Sequence, residues 1–115
     1  MAIKKDTKTA VITGASSGFG ACLARKLAAD GWHCVLVARR KNRLEEVAAD
    51  TRGEIEVCDI SDLSEVQAMA SRIAERHSAI DLLVNNAGIP GRGGFLDIEP
   101  KIKKIKERQK GKILI

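Results

Sequence analysis

The sequence contains no tyrosine, and aromatic residues of all kinds make up only 3% of its 115 residues. A reaction whose acid or base is a phenol is therefore outside the chemistry of this chain alone. Cysteine is also scarce, and the three cysteines are far apart: Cys22, Cys34 and Cys58. This spacing indicates neither a disulfide framework nor a zinc site, and we expect three reduced thiols in the core.

Long apolar runs are missing as well. The N-terminal residues contain no stretch long enough for a signal peptide or a membrane span, so we expect a cytoplasmic protein. With 44% hydrophobic and 30% charged residues, the composition suits a single compact domain that covers residues 1–115.

The net charge of +5 is concentrated near the C-terminus. Residues 101–115 carry six Lys and one Arg against Glu107 alone. Such a basic segment could meet nucleic acid or an anionic membrane, or it could be the solvated face of a helix. Charge runs usually stay solvated, so we expect neither nucleic acid nor membrane as a partner, and the role of Lys101–Lys112 stays open.

Short apolar runs rich in β-formers alternate with segments of helical periodicity. The predicted strands are Ala10–Thr13, Cys34–Ala38, Ile55–Asp59 and Asp81–Asn86, with a fifth over the terminal residues 112–115. Strands of this kind are typical of a parallel sheet that is buried on both faces. The alternation predicts a doubly wound, Rossmann-type α/β fold with helices on both faces, which ends after about five strands.

Three helices are predicted between these strands. The first covers about Gly18–Asp30, with an inward stripe of Phe19, Leu23 and Leu27. The second covers about Asn42–Asp50. Its predicted inward residues are Leu44, Val47 and Ala48, and its predicted capping box is Asn42 with Glu45. The third opens at Ser61 or Asp62, and its apolar stripe consists of Leu63, Val66, Met69, Ala70 and Ile73.

The segment from Thr13 to Gly20 reads TGASSGFG, with glycines in a GxxxGxG spacing between the first strand and the first helix. Glycine lets the backbone turn tightly and lets N–H groups approach a phosphate, which the helix N-terminus also favours. A close-packed strand-to-helix turn is the alternative. The strand, the helix and the βαβ context together favour nucleotide binding.

Four motifs in order resemble the short-chain dehydrogenase/reductase family. They are TGASSGFG at residues 13–20, ARR at 38–40, CDI at 58–60 and NNAG at 85–88, each following a predicted strand. The resemblance covers residues 7–88 and, less closely, the remainder. It implies hydride transfer between a nicotinamide cofactor and a carbonyl or secondary alcohol as the activity of the parent family.

The resemblance also implies a cofactor-binding role for particular positions. The glycine-rich turn would wrap the pyrophosphate and its riboses, through Gly14, Ser16, Ser17, Gly18, Phe19 and Gly20. Asp59, with the Ile60 backbone, would receive the adenine amino group. The nicotinamide end would be shaped by Asn85, Asn86, Ala87 and Gly88, one Asn partly by bracing the neighbouring strand. For Asp59, a simple role as a helix N-terminal acid is the alternative.

The residues that end the second strand indicate which cofactor is preferred. In this fold, an acidic residue at the end of the second strand accepts a hydrogen bond from the ribose 2′-hydroxyl of NAD. This sequence has Arg39 and Arg40 there and no carboxylate. Two guanidiniums can bind a 2′-phosphate through charge-assisted hydrogen bonds, so NADP(H) is expected. Surface ion pairs with Glu45 or Glu46 are the alternative role for these arginines.

The catalytic residues of the family have no counterpart here. The family uses a Tyr, a Lys and a Ser that follow the fifth strand, and an Asn on the preceding helix. This sequence has no Tyr, and no Ser after Ser78. The fourth helix looks shortened near residues 99–103, either through a deletion or because a segment is not represented. We therefore expect the chain to bind cofactor without turnover, and a small carbonyl or alcohol substrate only where the missing half is present.

Two further features complete the sequence-based expectations. His33 and His77 are expected to be isolated from each other and show no metal-ligand spacing, so each is expected to be a surface or helix-end residue, and no metal site is predicted. The principal alternative to an oxidoreductase part is a non-catalytic nucleotide-binding or interaction module that uses the basic C-terminal segment. Homo-oligomerisation is left open.

Overall fold

The computed structural model describes residues 7–86 and the backbone of residues 112–114. Strands and helices alternate along the first part. The elements in chain order are β1 (Thr9–Thr13), α1 (Gly18–Ala29), β2 (His33–Ala38), α2 (Lys41–Thr51), β3 (Glu54–Val57), α3 (Leu63–Arg76), β4 (Leu82–Val84) and β5 (Lys112–Leu114). The five predicted strands and the three helices predicted between the first four of them are present, with ends that move by a few residues.

The five strands form one parallel sheet in the order β3-β2-β1-β4-β5. β1 lies at the centre and pairs with both β2 and β4, with Val11 opposite Val35 on one side and Leu83 on the other. The chain builds the sheet outward from β1 in one direction and then in the other. The predicted doubly wound α/β fold is therefore confirmed, and the reversal of strand order lies between β1 and β4.

Each face of the sheet carries its own apolar cluster, because successive strand residues point to opposite faces. Val11, Val35 and Val37 face α3, where they pack with Val66, Met69 and Ile73. Ala10, Ile12, Cys34 and Leu36 face the other way and pack with residues of α1 and α2, including Ala24, Leu44 and Val47. β1 and β2 are thus almost fully buried, as their apolar runs predict.

The predicted inward stripe of α1 is wrong at Phe19, whose side chain is 63% exposed. α1 instead buries Gly20, Ala21 and Ala24. Small residues let the helix axis approach the sheet closely, and this turns the Phe19 position outward. Leu23 and Leu27 are partly buried at the side of the same cluster.

Several smaller predictions also need correction. The capping box of α2 does not form, because the helix begins at Lys41 with Arg40 as the N-cap and places Asn42 inside the first turn. Leu63 lies at the first position of α3 and is 40% exposed. Cys22 is exposed, whereas Cys34 and Cys58 are buried free thiols as expected. Helix α1 turns the Cys22 position away from the sheet.

Within the part of the chain that the structure describes, no helix is long and apolar enough to cross a membrane. The predicted fifth strand is present as β5. The predictions for Ala87, Gly88, the shortened fourth helix near residues 99–103 and the basic residues 101–111 lie outside the described residues.

Candidate functional site

The carboxyl ends of the four leading strands carry every sequence-predicted site residue that the structure describes. The β1–α1 turn contributes residues 14–20, β2 is followed by Arg39 and Arg40, β3 by Asp59 and Ile60, and β4 by Asn85 and Asn86. In a doubly wound sheet, ligands bind outside these ends, where the strand order reverses. The topology therefore brings four separated sequence segments to one edge.

The β1–α1 turn depends on its glycines. Gly14 and Gly18 have φ angles of 64° and 59°, in the left-handed region that L side chains rarely adopt. Gly20 is needed for a different reason, since a Cβ there would come within 2.8 Å of Asn86 Nδ2 and closer still to the Gly14 carbonyl oxygen. The turn is thus folded tightly against the first turn of α1 and against the end of β4.

The N-terminus of α1 has no side-chain cap. Ser17 is the N-cap residue, yet its side chain forms no cap hydrogen bond, and the first turn contains no acidic residue. Unpaired N–H groups at the start of a helix, together with the helix dipole, favour an anion. Ser17 and Gly18 are exposed and Ser16 is half-buried, so backbone and hydroxyl donors of this turn face solvent.

Thr13 joins the ends of β1 and β4. Its hydroxyl oxygen accepts the Asn86 backbone N–H over 2.9 Å and lies 3.2 Å from Asn85 Oδ1. The Asn86 amide in turn donates from Nδ2 to the Gly14 carbonyl oxygen over 3.4 Å. Both asparagines therefore brace the glycine-rich turn, where the family resemblance implied bracing by one of them.

The Asn85 side chain is almost fully buried, with 6% of its surface exposed. Within residues 7–86, its Nδ2 group has no hydrogen-bond partner. A buried amide donor without a partner is costly, so this group is oriented for a partner beyond the described residues or for a ligand.

Arg39 and Arg40 follow β2 and are both exposed. Among the described residues neither guanidinium forms an ion pair, and the alternative pairs with Glu45 and Glu46 are not formed. Arg40 occupies the N-cap position of α2, where an acid would otherwise be favoured. Two cations therefore stand free at this edge of the sheet.

Asp59 lies between β3 and α3 rather than inside the strand. Its Oδ1 atom accepts hydrogen bonds from the Ser61 backbone N–H and hydroxyl, at 3.0 and 2.7 Å. These bonds lower the pKa of Asp59, and the charge of Arg39 adds to this effect. The carboxylate is thus ionised, and the N-cap of α3 is Asp62 instead. Ile60 is buried beside the core on the α3 face.

The sequence-based reasoning missed the central position of Thr13. Its place as the first residue of the glycine motif was visible, but the sequence shows no partner for its hydroxyl, since Asn86 is 73 positions away. Phe19 was predicted as a site residue and is exposed at the same edge. It presents an apolar ring beside the polar turn.

Comparisons with known proteins identify the family of this chain. A family model described as short chain dehydrogenase matches residues 8–109. A fatty acyl-CoA reductase from Acinetobacter baylyi is 41% identical over 86 residues, which are 70% of this chain and 29% of that protein. The chain spans between 26% and 40% of the length of the curated relatives compared.

Solved structures show the same fold. A metagenomic short-chain oxidoreductase in complex with NADP is 41% identical, with a TM-score of 0.67 over 71% of this chain and 39% of the other. A variant of the actinorhodin polyketide ketoreductase with NADPH is 27% identical, with a TM-score of 0.79 over 97% of this chain and 53% of the other. The chain therefore belongs to the short-chain dehydrogenase family.

Proposed function

We propose that this chain is the NADP(H)-binding part of a short-chain oxidoreductase that transfers hydride between nicotinamide and a carbonyl or secondary alcohol. The observation that carries the proposal is the convergence of the glycine-rich turn, the free arginine pair and the two asparagines at one sheet edge. Solved relatives with NADP or NADPH bound support the same cofactor class.

The residues present fit a dinucleotide. The Gly14 carbonyl and Asn86 occupy the space that a Cβ at Gly20 would need. Because the turn contains glycine here, its backbone can pack closely and can be approached by a ligand. The uncapped N-terminus of α1 offers N–H donors and a positive dipole end to a pyrophosphate. Ser16 and Ser17 add hydroxyl donors at the same turn.

The arginine pair supports NADP(H) over NAD(H). Arg39 and Arg40 are exposed, follow β2 and have no ion-pair partner among the described residues, so they need not break an existing contact to bind a 2′-phosphate. An ionised acid at this position would repel that phosphate. The charge of Arg39 contributes to the lowered pKa of Asp59. Oδ1 of Asp59 accepts hydrogen bonds from Ser61, and Oδ2 is suited to accept a hydrogen bond from an adenine amino group.

When bound, the cofactor would supply the redox chemistry, with NADPH donating hydride to a carbonyl or NADP⁺ accepting hydride from a secondary alcohol, so the protein supplies binding and orientation. Asn85 and Asn86 hold the ends of β1 and β4 together through Thr13. These contacts would keep the two strand ends in place beside the nicotinamide end of the cofactor. The buried Asn85 amide has an Nδ2 donor to spare there. No Tyr of this chain can act as the acid or base, so proton transfer is not assigned to these residues.

Fluorescence titration of the purified chain with NADPH and NADH tests this proposal. We expect saturable NADPH binding that is at least tenfold tighter than NADH binding, and no NADPH oxidation above background with a panel of carbonyl compounds. Equal affinities would remove the argument from the arginines, and absence of binding to either nucleotide would overturn the proposal. Turnover by the chain alone would show that a group other than Tyr acts as the acid.

A further inference from the structure

Two histidines and one glutamate converge at the amino ends of the strands. His33 is the first residue of β2, Glu54 is the first residue of β3, and His77 is the C-cap of α3. The predicted helix-end position of His77 is confirmed, but the prediction that the two histidines are isolated is wrong. Their ring centroids lie 5.5 Å apart, because the parallel register and the return of α3 bring the three segments together.

The three potential ligand atoms lie close together. One ligand atom from each residue can be chosen so that all three are within 4.8 Å of one another. His33 Nε2 is 3.1 Å from Glu54 Oε1, and His77 Nε2 is 3.0 Å from Glu54 Oε2. In a tetrahedral zinc site with bonds of ~2.0–2.1 Å, neighbouring ligand atoms are roughly 3.3 Å apart. The two separations between a histidine nitrogen and a Glu54 oxygen differ from that spacing by a few tenths of an ångström, and the two histidine nitrogens lie within 4.8 Å of each other.

The cluster is sheltered from water. The side chain of His77 is 5% exposed, that of His33 16% and that of Glu54 28%. Partial burial favours an ion that replaces hydrogen bonds to water, because each ligand atom otherwise needs another partner. Two imidazoles and one carboxylate form a donor set that zinc uses when three protein ligands leave one position for water.

The hydrogen bonds among these three residues do not satisfy all of them. His77 Nε2 is within hydrogen-bond distance of both Glu54 oxygens. His33 Nε2, in contrast, is buried and makes no hydrogen bond of acceptable geometry to any described residue, although Glu54 Oε1 is only 3.1 Å away. A buried ring nitrogen that faces a carboxylate without a proper hydrogen bond is suited to share an ion with it.

Neighbouring charges limit and shape the site. Arg76 Nη2 lies 3.2 Å from Glu54 Oε2 and 2.8 Å from Glu56 Oε2, and Arg72 binds Glu56 from the other side. Glu56 therefore offsets much of the arginine charge. Contact with Arg76 orients the Glu54 carboxylate and leaves Oε1, the oxygen nearer His33, for a ligand role.

Burial is the largest single influence on the pKa of Glu54 and raises it, but the contacts with His77, His33 and Arg76 together lower that pKa below its usual value.

We propose that His33, Glu54 and His77 bind a divalent transition-metal ion, with Zn²⁺ as the best fit to two imidazole nitrogens and one carboxylate oxygen. The ion would tie the starts of β2 and β3 to the end of α3. Arg39 is six residues along the chain from His33, so this site lies roughly 20 Å from the arginine pair, at ~3.3 Å per residue along β2. The proposal does not depend on the proposed cofactor.

Calorimetric titration of the tag-free, chelator-treated full chain with Zn²⁺ tests the site, and Co²⁺ absorption in the visible region reports its geometry. We expect one equivalent of Zn²⁺ and the intense bands of a four- or five-coordinate Co²⁺ ion. Each of H33Q, E54Q and H77Q is expected to weaken Zn²⁺ binding by about tenfold or more, because loss of even an outer-shell partner costs 10–100-fold.

Two matched controls separate this site from others. D50N neutralises an exposed carboxylate that pairs with Arg25, and C22S removes the exposed thiol. Both should leave Zn²⁺ binding unchanged. Circular dichroism identifies any variant that fails to fold. H33Q is the decisive variant, since His33 is partly exposed and makes no well-formed hydrogen bond through Nε2.

The outcomes divide cleanly. Two results together support the site. The parent chain binds one equivalent of Zn²⁺ and folded H33Q does not, and Zn²⁺ raises the Tm of the parent chain but not that of H33Q. Absence of stoichiometric binding, or binding that folded H33Q retains at parental affinity, overturns it. Loss of binding in C22S with retention in H33Q would place the ion elsewhere and would also overturn it.

Discussion

The backbone N–H of Asn86 donates a hydrogen bond to the Thr13 hydroxyl oxygen over 2.9 Å. Thr13 is the last residue of β1, and Asn86 is the second residue after β4. The bond therefore links the two strands at the point where the strand order reverses. The same hydroxyl lies 3.3 Å from the Val84 carbonyl oxygen. One side chain thus holds the β1–α1 turn and the β4 end in a fixed relation.

Replacing Thr13 with Val tests this relation. The variant keeps the shape of the side chain but removes the acceptor of the Asn86 N–H, and leaving such a partly buried group unpaired costs about 1–3 kcal/mol. We expect a lower free energy of unfolding by that amount in urea denaturation, and weaker NADPH binding. T9V is the matched control, since Thr9 is buried in the same strand and no hydrogen bond of its hydroxyl occurs among the described residues. Equal losses in both variants would contradict a special role for Thr13.

Replacing Gly20 with Ala tests the close packing of the turn. The new Cβ would be within 2.8 Å of Asn86 Nδ2 and would press on the Gly14 carbonyl, so the turn must move. We expect NADPH affinity to fall by about tenfold or more, with destabilisation of ~1–3 kcal/mol as for other overpacked sites. Titration and urea denaturation measure the two effects. C22A, on the exposed side of the same helix, should change neither; unaltered NADPH affinity in G20A would refute the packing argument.

Replacing both Arg39 and Arg40 with Ala tests cofactor choice. Hydrogen bonds to charged groups contribute about 1.5–3 kcal/mol each, so NADPH affinity should fall by roughly 10- to 100-fold or more while NADH affinity changes little. R43A removes one exposed cation from the next helix and serves as the control for the loss of a positive charge that does not follow β2. A parallel loss of affinity for both nucleotides would show that the arginines do not read the 2′-phosphate.

The three cysteines should differ sharply in reactivity. Burial raises the pKa of Cys34 and of Cys58 to about 11, so both remain protonated at pH 8 and form thiolates only as the pH approaches that value. Cys22 is exposed. Alkylation of the folded chain at pH 8, followed by peptide mass spectrometry, should label Cys22 first and the other two only after unfolding. Rapid labelling of Cys34 in the folded chain would contradict its burial, and C22S should abolish the fast reaction.

Local patterns were sufficient to predict most of the fold. The apolar runs of β1 and β2 are buried on both faces. Such strands can be predicted from the run of apolar residues alone, without knowledge of which strands lie beside them. The glycine spacing from Gly14 to Gly20 predicted a turn whose torsion angles and close contacts require glycine. The position of Arg39 and Arg40 at the carboxyl edge of the sheet was also predictable, because the end of the second strand has a fixed place in this fold.

Other features needed the packed structure. Helical periodicity placed Phe19 with Leu23 and Leu27, but the rotation of α1 is set by how closely Ala21 and Ala24 can approach the sheet. The same rotation exposes Cys22. A periodic pattern identifies an apolar stripe along a helix. The packing of the helix against the sheet decides whether that stripe or the one beside it is buried.

The sequence by itself determined the alternation of strands and helices, the glycine-rich turn and the arginine pair, because each depends on residues that are neighbours along the chain. Only the tertiary structure decided which distant polar groups meet. Parallel register brings Thr13 to Asn86 at one end of the sheet and His33 to Glu54 and His77 at the other. Hydrogen bonds and ion contacts act over about 3 Å, and such proximity is set by strand order and helix return rather than by local sequence.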